Sequence, residues 1–296
     1  MFQMYGVVPP MITPFRETGE VDFEGLHTLV DYLSGEVDGL FINGSYGAGV
    51  MMTEEERRAV TEKTIETAAG RVPVVAHIGT ADSYSAARLA KHAAEVGAAA
   101  VASVGPFYFK HNPDQICEYY RKIVEAVDGR VPVYVYNNVS FQGYTMDLKT
   151  IRRLKEEVGV NGIKDATFDI MAMANYMRTL KSDTFDVALG TEAMWLSACV
   201  LGCRAFIPGI GNAFPEICET MFRQGMEGDF TSCRETQFRV NEMRDIMYLA
   251  RSTQLAIYAM LEIRGILKTY PRSPFIPASE EEKKHIRGRL VERGLM

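Results

Sequence analysis

Short apolar segments alternate with amphipathic segments eight times between residues 7 and 224, and this alternation constrains the fold more than any other feature of the sequence. Apolar segments without internal polar alternation are typical of parallel strands that are buried on both faces. Each one is followed by a segment with apolar residues at helical spacing. The pattern therefore predicts a parallel sheet covered by helices, with strands at 7–15, 39–44, 72–79, 98–104, 131–136, 160–164, 185–189 and 204–207.

Eight strand-then-helix units in this length fit a closed (β/α)8 TIM barrel better than an open sheet, because such barrels typically need about 200 to 250 residues. After Gly228 the alternation stops, and three helical patterns follow at 230–250, 253–268 and 279–292. The sequence therefore predicts an α/β protein with two parts, a barrel that carries the active site over 1–228 and a C-terminal helical appendage over 229–296.

The charge of the chain argues against two classes of partner. The net charge is −6 and the sequence contains no basic run, so neither nucleic acid nor an anionic membrane is an expected partner. The N-terminus has no signal-peptide pattern, and no apolar run reaches membrane-spanning length. We therefore expect a cytoplasmic protein that binds small molecules.

The cysteines and histidines give no sign of a metal site. The five cysteines are scattered without a CxxC pair, and no His, Asp or Glu cluster has metal-ligand spacing. His77, within the third predicted strand, is most simply a core histidine. We expect no metal and buried free thiols at Cys117, Cys199, Cys203, Cys218 and Cys233.

Lys164 ends the apolar segment 160–164 and is followed by a polar, turn-like stretch. A lysine at the tip of a buried strand has its pKa lowered by the low-dielectric surroundings, and a neutral amine can attack a ketone to form a Schiff base. On position alone, an ordinary lysine whose amine extends to solvent is the favoured interpretation.

Active sites of TIM barrels lie at the C-terminal ends of the strands, and this rule gives Lys164 a set of neighbours. It selects the residues that follow strands two, four, five, seven and eight, which are Ser45, Tyr46, Phe107, Tyr108, Tyr136, Asn137, Thr191, Glu192 and residues 209–212.

Four of these segments occur in the order and spacing of a known family. They are Gly44-Ser45-Tyr46-Gly47, Pro106-Phe107-Tyr108, Tyr136-Asn137 and Gly162-Ile163-Lys164-Asp165. The chain resembles the dihydrodipicolinate synthase/N-acetylneuraminate lyase family of class I pyruvate-dependent aldolases over essentially its whole length, including the helical tail. The resemblance implies a TIM barrel, pyruvate and an aldehyde as partners, and no cofactor beyond the covalent Schiff base on Lys164.

The resemblance also implies roles for individual residues. Lys164 would attack the ketone of pyruvate or a 2-oxo acid, and Tyr136 would shuttle protons during imine formation and retro-aldol cleavage. Ser45, with the backbone amides of the Gly44 loop, would bind the substrate carboxylate. Family members usually form homotetramers in which a tyrosine from a neighbouring subunit completes the proton relay, and Tyr108 matches that position.

Several departures from the family pattern concern the substrate. Tyr46 stands where a second small hydroxyl residue is usual, and Ala48 stands where a Glu is usual. Phe141 replaces the arginine that holds a carboxylate in the synthase branch, and a phenyl ring cannot replace a bidentate guanidinium. This substitution counts against the synthase activity.

Other residues look more like the lyase branch, whose acidic residues after strand seven bind sugar hydroxyls. Glu192, in the segment that begins at Gly190, fits that role. Thr191, however, replaces the lyase Asp, and Gly209 falls where a serine is expected, so a polyol pocket is only half supported. A smaller or more apolar aldehyde remains an alternative.

The expected function is a Schiff-base lyase or aldolase, similar to N-acetylneuraminate lyase. It would make or break a C–C bond to pyruvate in a 2-oxo-3-deoxy sugar acid or a related 4-hydroxy-2-oxo acid. The alternatives are a dihydrodipicolinate synthase, or a 2-oxo acid dehydratase or hydratase-aldolase that uses the same imine. A further alternative is a non-catalytic 2-oxo acid binder that lost turnover through the changes at Tyr46 and Ala48.

Overall fold

A closed barrel of eight parallel strands forms the body of the protein in the computed structural model, which describes Met1–Met296. Strand pairing runs from the first strand through the eighth and back down to the second, and a parallel bridge between Pro10 and Phe41 closes the ring. The predicted (β/α)8 barrel is therefore confirmed. The strands are β1 Gly6–Val7, β2 Leu40–Ile42, β3 Val74–His77, β4 Ala100–Val104, β5 Val133–Asn137, β6 Gly162–Asp165, β7 Asp186–Leu189 and β8 Ala205–Phe206.

Helices surround the barrel and continue into the C-terminal region. Those of the barrel are α1 Phe23–Ser34, α2 Glu54–Ala68, α3 Ser83–Glu95, α4 Pro113–Val127, α5 Val139–Gln142, α6 Leu148–Arg153, α7 Ile170–Thr179, α8 Trp195–Val200 and α9 Pro215–Glu227. The appendage contains α10 Phe230–Met247, α11 Thr253–Ile263 and α12 Glu280–Glu292, and α10 packs against α8 and α9.

Three local features differ from the sequence-based expectation. The first strand is far shorter than 7–15, because the prolines within that segment have no N–H to donate to a ladder. The helix expected over 253–268 ends at Ile263, where the chain turns through Gly265 at φ +70°. The short helix α5 was not predicted, and Asn138 caps it by accepting from Ser140 N.

The apolar core has two layers, one inside the barrel and one between the barrel and its helices. Within the barrel, Lys164 lies in register between Tyr136 on β5 and Ala188 on β7. Alanines supply several interior positions of the barrel, including Ala102 on β4, Ala188 on β7 and Ala205 on β8.

The remaining sequence-based expectations concern cysteines and membranes. All five cysteines are free thiols, and all but the half-buried Cys199 are buried. No helix combines the length and apolar character needed to cross a bilayer. No group of three or more His, Cys, Asp or Glu side chains is arranged to hold a metal ion.

Candidate active site

Lys164 projects from β6 into the barrel with its side chain buried. Its Nζ lies 3.9 Å from the ring centroids of both Phe41 and Tyr136, and no hydrogen bond or carboxylate compensates its charge. Lys181, in contrast, has the carboxylate of Asp186 at 2.6 Å. Burial lowers the pKa of Lys164 to about 7, because the charged form loses its hydration. A large fraction of this lysine is therefore neutral, and nucleophilic, near neutral pH.

Tyr136 is a titratable residue directly beside Lys164. Its ring packs edge-on against Phe41 and His77, and its hydroxyl accepts a hydrogen bond of 3.2 Å from Asn138 Nδ2. Burial raises the pKa of the Tyr136 phenol, while hydrogen bonding by Ser45 and Asn138 acts in the opposite direction. The phenol is therefore protonated at rest and able to donate a proton next to the amine.

His77 is a structural residue, as expected. Its Nδ1 donates to the Asn43 carbonyl at 3.1 Å, and its Nε2 accepts from Val104 N at 3.1 Å. Because one ring nitrogen must donate and the other accept, the imidazole is neutral, and burial lowers its pKa well below the usual value.

The loop after β2 presents free amides near Tyr136. The N–H groups of Ser45 and Tyr46 make no intramolecular hydrogen bond, whereas the Ser45 carbonyl accepts from Ala48 N at 3.2 Å. Gly49 lies so close to Asn43 that a Cβ would come within 1.9 Å of the Asn43 carbonyl oxygen. The loop is thus held tightly, with two unpaired donors suited to an anion such as a carboxylate.

Tyr46 and Gly209, two departures from the family pattern, are linked in space. The Tyr46 hydroxyl donates to Thr253 Oγ1 at 2.9 Å, and the phenol crosses the face of Gly209. A Cβ on Gly209 would lie 2.3 Å from the Tyr46 hydroxyl oxygen. The bulky tyrosine at position 46 therefore fits only because residue 209 has no side chain, so these two departures from the family pattern depend on each other.

Glu192 is buried, and both of its carboxylate oxygens are engaged by the protein. Oε2 accepts from Gly209 N at 2.9 Å, and Oε1 accepts from Arg244 Nη1 of α10. Thr191, at the preceding position, is buried and accepts from Ala193 N at 3.1 Å. Neither side chain is a free group at the cavity surface, and substrate binding by Glu192 stays a prediction.

A cavity of about 320 Å³ joins most of the predicted residues. Phe141, half exposed on α5, and Gly190, which packs closely on Asp165 and Ala166, also contribute to its wall. An adjoining apolar cavity of about 200 Å³ includes Gly44 and shares three residues with the first. The predicted residues that line the larger cavity are Ser45, Tyr46, Tyr136, Phe141, Lys164, Gly190, Thr191, Glu192 and Gly209.

Tyr108 is the predicted residue that the fold does not bring into this site. Its side chain is 88% exposed, and its backbone is left-handed with φ +79°. The neighbouring Phe107 lines the apolar cavity, while Phe109 packs edge-on against Tyr108. Within one chain, therefore, Tyr108 lines neither cavity, and its catalytic role stays a prediction.

Half of the residues that line the larger cavity were not singled out from the sequence, among them Asn138, Arg244, Tyr248 and Thr253. Asn138 is also the N-cap of α5, and an Asn before a short helical stretch is a signal that could have identified it. Arg244, Tyr248 and Thr253 come from the appendage, which sequence reasoning treated as separate from the active site. Nothing in the spacing of α10 marks Arg244 as a cavity residue.

Comparison with known proteins gives a consistent relationship over the whole chain. The chain is 30% identical over 292 residues to a 4-hydroxy-tetrahydrodipicolinate synthase of Phenylobacterium zucineum, with 98% of each chain covered. It is 28% identical over 301 residues to a probable 2-dehydro-3-deoxy-D-pentonate aldolase of Escherichia coli, with 100% of this chain and 99% of the relative covered.

Solved structures support the same fold. The crystal structure of an Escherichia coli prophage protein of the dihydrodipicolinic acid synthase family, in complex with pyruvate, matches with a TM-score of 0.93. Sequence identity to that protein is 24%, with 99% of each chain covered, so this likeness concerns the fold alone.

A model of the dihydrodipicolinate synthetase family matches residues 3–292. Enzymes of this family are carbon–carbon lyases that hold pyruvate as a lysine Schiff base and use no metal cofactor. Because the match spans nearly the whole chain, the protein belongs to the dihydrodipicolinate synthetase family, a family of class I pyruvate-dependent aldolases and lyases.

Proposed function

We propose that this protein is a Schiff-base lyase or aldolase that breaks or makes the C3–C4 bond joining pyruvate to an aldehyde. Its substrate would be a 2-oxo-3-deoxy sugar acid or a related 4-hydroxy-2-oxo acid. One observation carries the proposal: the Lys164 amine is buried without a counter-ion, and its pKa is lowered to about 7 directly beside the Tyr136 phenol.

Formation of the imine follows from these two groups. The neutral Lys164 amine adds to the C2 ketone of the substrate, giving a carbinolamine. The Tyr136 phenol protonates the departing oxygen, water leaves, and the C2 centre becomes a protonated imine with Tyr136 as phenolate. The free N–H groups of Ser45 and Tyr46 hold the substrate carboxylate during this step.

Cleavage uses the same pair in reverse roles. The Tyr136 phenolate takes the proton of the C4 hydroxyl, the C3–C4 bond breaks, and its electron pair moves into the imine to give an enamine. An aldehyde leaves, the Tyr136 phenol returns its proton to C3 of the enamine, and addition of water to the resulting imine releases pyruvate and restores the Lys164 amine. The addition reaction runs through the same steps in the opposite order.

The proposal includes a homotetramer in which Tyr108 of a neighbouring subunit joins the relay. Tyr108 and Phe109 form an exposed aromatic pair, with 88% and 67% of their side chains accessible. Contiguous exposed apolar surface marks candidate protein–protein contacts, and this pair supplies such surface. The Tyr108→Phe variant, mixed with a Lys164→Ala variant, tests this arrangement, because mixed tetramers would regain activity only if Tyr108 acts across the interface.

A second candidate is dihydrodipicolinate synthase activity, which the names of several relatives favour. Phe141 argues against it, since its ring stands at the cavity wall where the resemblance places a carboxylate-binding arginine. Product analysis separates the candidates: pyruvate plus aldehyde marks the lyase, a cyclic product from aspartate semialdehyde marks the synthase, and a dehydrated 2-oxo acid marks a dehydratase.

Borohydride trapping tests the shared chemistry. Wild-type protein mixed with pyruvate and borohydride should gain one reduced pyruvyl group, and peptide mapping should place that group on Lys164. The Lys164→Ala variant should stay unmodified, whereas Lys284→Ala, which removes an exposed lysine of α12, should react like the wild type. If the folded wild-type protein forms no adduct, or forms it on a residue other than Lys164, the proposed Schiff-base mechanism is refuted.

A further inference from the structure

We propose that Arg244 binds a second carboxylate, at the end of the substrate remote from the imine. The ligand class is then a 2-oxo acid with a carboxylate at each end of its carbon chain. This inference rests on the proposed function and deepens it by naming the chemistry of the aldehyde half. Arg244 lies on α10 of the appendage and lines the same cavity as Lys164.

Only one nitrogen of the Arg244 guanidinium is hydrogen-bonded to the protein. Arg244 Nη1 donates to Glu192 Oε1 and, at 3.4 Å, to Thr191 Oγ1, while Nε and Nη2 have no protein partner. The Phe168 ring centroid lies 5.4 Å from the guanidinium carbon. An arginine fixed at one nitrogen keeps two adjacent donors in the fork geometry that matches a carboxylate.

Glu192 acts here as an anchor for Arg244. It is buried, and its second oxygen accepts from Gly209 N at 2.9 Å, so each carboxylate oxygen already has a donor. Side chains around a polyol would need to offer acceptors as well as donors, because each hydroxyl both donates and accepts. A carboxylate only accepts, and it therefore suits the unpaired donors of Arg244.

The contact between Tyr46 and Gly209 also favours a carboxylate over sugar hydroxyls in this cavity. A serine at position 209 would add a hydroxyl to the wall, but the Tyr46 phenol occupies that space and uses its own hydroxyl on Thr253. The cavity thus loses a group suited to sugar hydroxyls on one wall. The Arg244 guanidinium lies on another wall, and together these two features favour a short anionic chain over a sugar.

The test measures imine formation, so it requires no knowledge of the natural aldehyde. Borohydride trapping on Lys164 is titrated with 2-oxoglutarate and 2-oxoadipate, and with 2-oxopentanoate and 2-oxohexanoate, which have the same chain lengths but lack the second carboxylate. Wild-type protein should reach half-maximal trapping at a concentration about tenfold lower for at least one dicarboxylate than for the monocarboxylate of the same length, as expected for one charge-assisted contact.

Variants of Arg244 test whether this residue causes the preference for dicarboxylates. Arg244→Gln should reduce the ratio of the two half-maximal concentrations to near one. Arg244→Lys keeps the charge but not the paired donors of the guanidinium, and it should retain part of the preference. Arg239→Gln is the matched control, because Arg239 is an exposed arginine on the same helix, and it should keep the wild-type ratio. If the unpaired Glu192 carboxylate prevents Arg244→Gln from folding, the double variant Glu192→Gln with Arg244→Gln removes both charges. It should show the same loss of the preference for dicarboxylates.

Each contrary result has a distinct meaning. If pyruvate is not trapped on Lys164, the proposed function fails and this inference fails with it. If pyruvate is trapped but neither dicarboxylate is preferred, or neither longer chain is trapped, the inference alone is overturned. A preference that survives in Arg244→Gln would also overturn it, because another group would then hold the distal carboxylate.

Discussion

Replacement of Lys164 by methionine should stabilise the fold, and by an amount that depends on pH. The usual pKa of lysine is 10.5, and burial lowers the pKa of Lys164 to about 7. Below about pH 7 the folded protein must hold a charge that burial disfavours, and the difference between these two pKa values corresponds to about 5 kcal/mol. Methionine fills a similar volume without a charge.

The sign of the pH dependence follows from proton binding. Between about pH 7 and pH 10.5 the unfolded chain holds the lysine proton and the folded protein does not, so raising the pH favours the folded state of the wild type. The cost of burying Lys164 therefore falls from about 5 kcal/mol near pH 6 to about 3 kcal/mol near pH 8.5. The advantage of Lys164→Met should shrink by about 2 kcal/mol over the same interval.

Urea unfolding of both proteins near pH 6 and near pH 8.5, at one protein concentration, measures this difference. Titrating groups that do not interact with Lys164 contribute equally to both proteins, and any apolar gain from methionine is independent of pH. Lys284→Met replaces an exposed lysine and should show no such dependence. A stability difference that is constant with pH, or that grows as the pH rises, would refute the claim that folding neutralises Lys164.

Three further predictions concern neighbouring groups. Tyr136→Phe should lower turnover by about 10²- to 10⁴-fold, the range for a lost general acid–base, while leaving the protein folded; steady-state kinetics and circular dichroism check both parts. Gly209→Ser should destabilise the protein because the added Cβ would lie 2.3 Å from the Tyr46 hydroxyl oxygen. The second change Tyr46→Thr should restore the melting temperature, and a double variant that shows no such recovery would contradict the packing account. Glu192→Ala should lower the free energy of unfolding by about 3 kcal/mol because it leaves Arg244 uncompensated, and a denaturation midpoint equal to that of the wild type would contradict this.

The barrel and the juxtaposition of Lys164 with Tyr136 could be predicted from sequence because local signals and a fold rule agree. Continuous apolar strands specify a parallel sheet, and the position of Lys164 at the end of β6 places it at the catalytic end of a barrel. Tyr136 in β5 falls at the same level, and the observed register places it directly beside Lys164.

Contacts between distant parts of the chain could not be predicted in the same way. Arg244 reaches Glu192 across 52 residues, and Tyr46 reaches Thr253 across 207. Such pairs depend on how the appendage packs onto the barrel, and neither helical periodicity nor strand pattern encodes that packing. From the sequence, the Glu192 carboxylate was therefore expected to bind substrate hydroxyls, whereas in the structure it pairs with Arg244.

The most direct test of the account is a crystal structure of the protein soaked with pyruvate. We expect continuous electron density from Lys164 Nζ to the C2 carbon of the ligand. The ligand carboxylate should lie against the N–H groups of Ser45 and Tyr46, with the Tyr136 hydroxyl within hydrogen-bond distance of the reacting centre. Pyruvate bound elsewhere, or bound in this cavity with the Lys164 amine unmodified, would contradict the central claim that this lysine is the nucleophile.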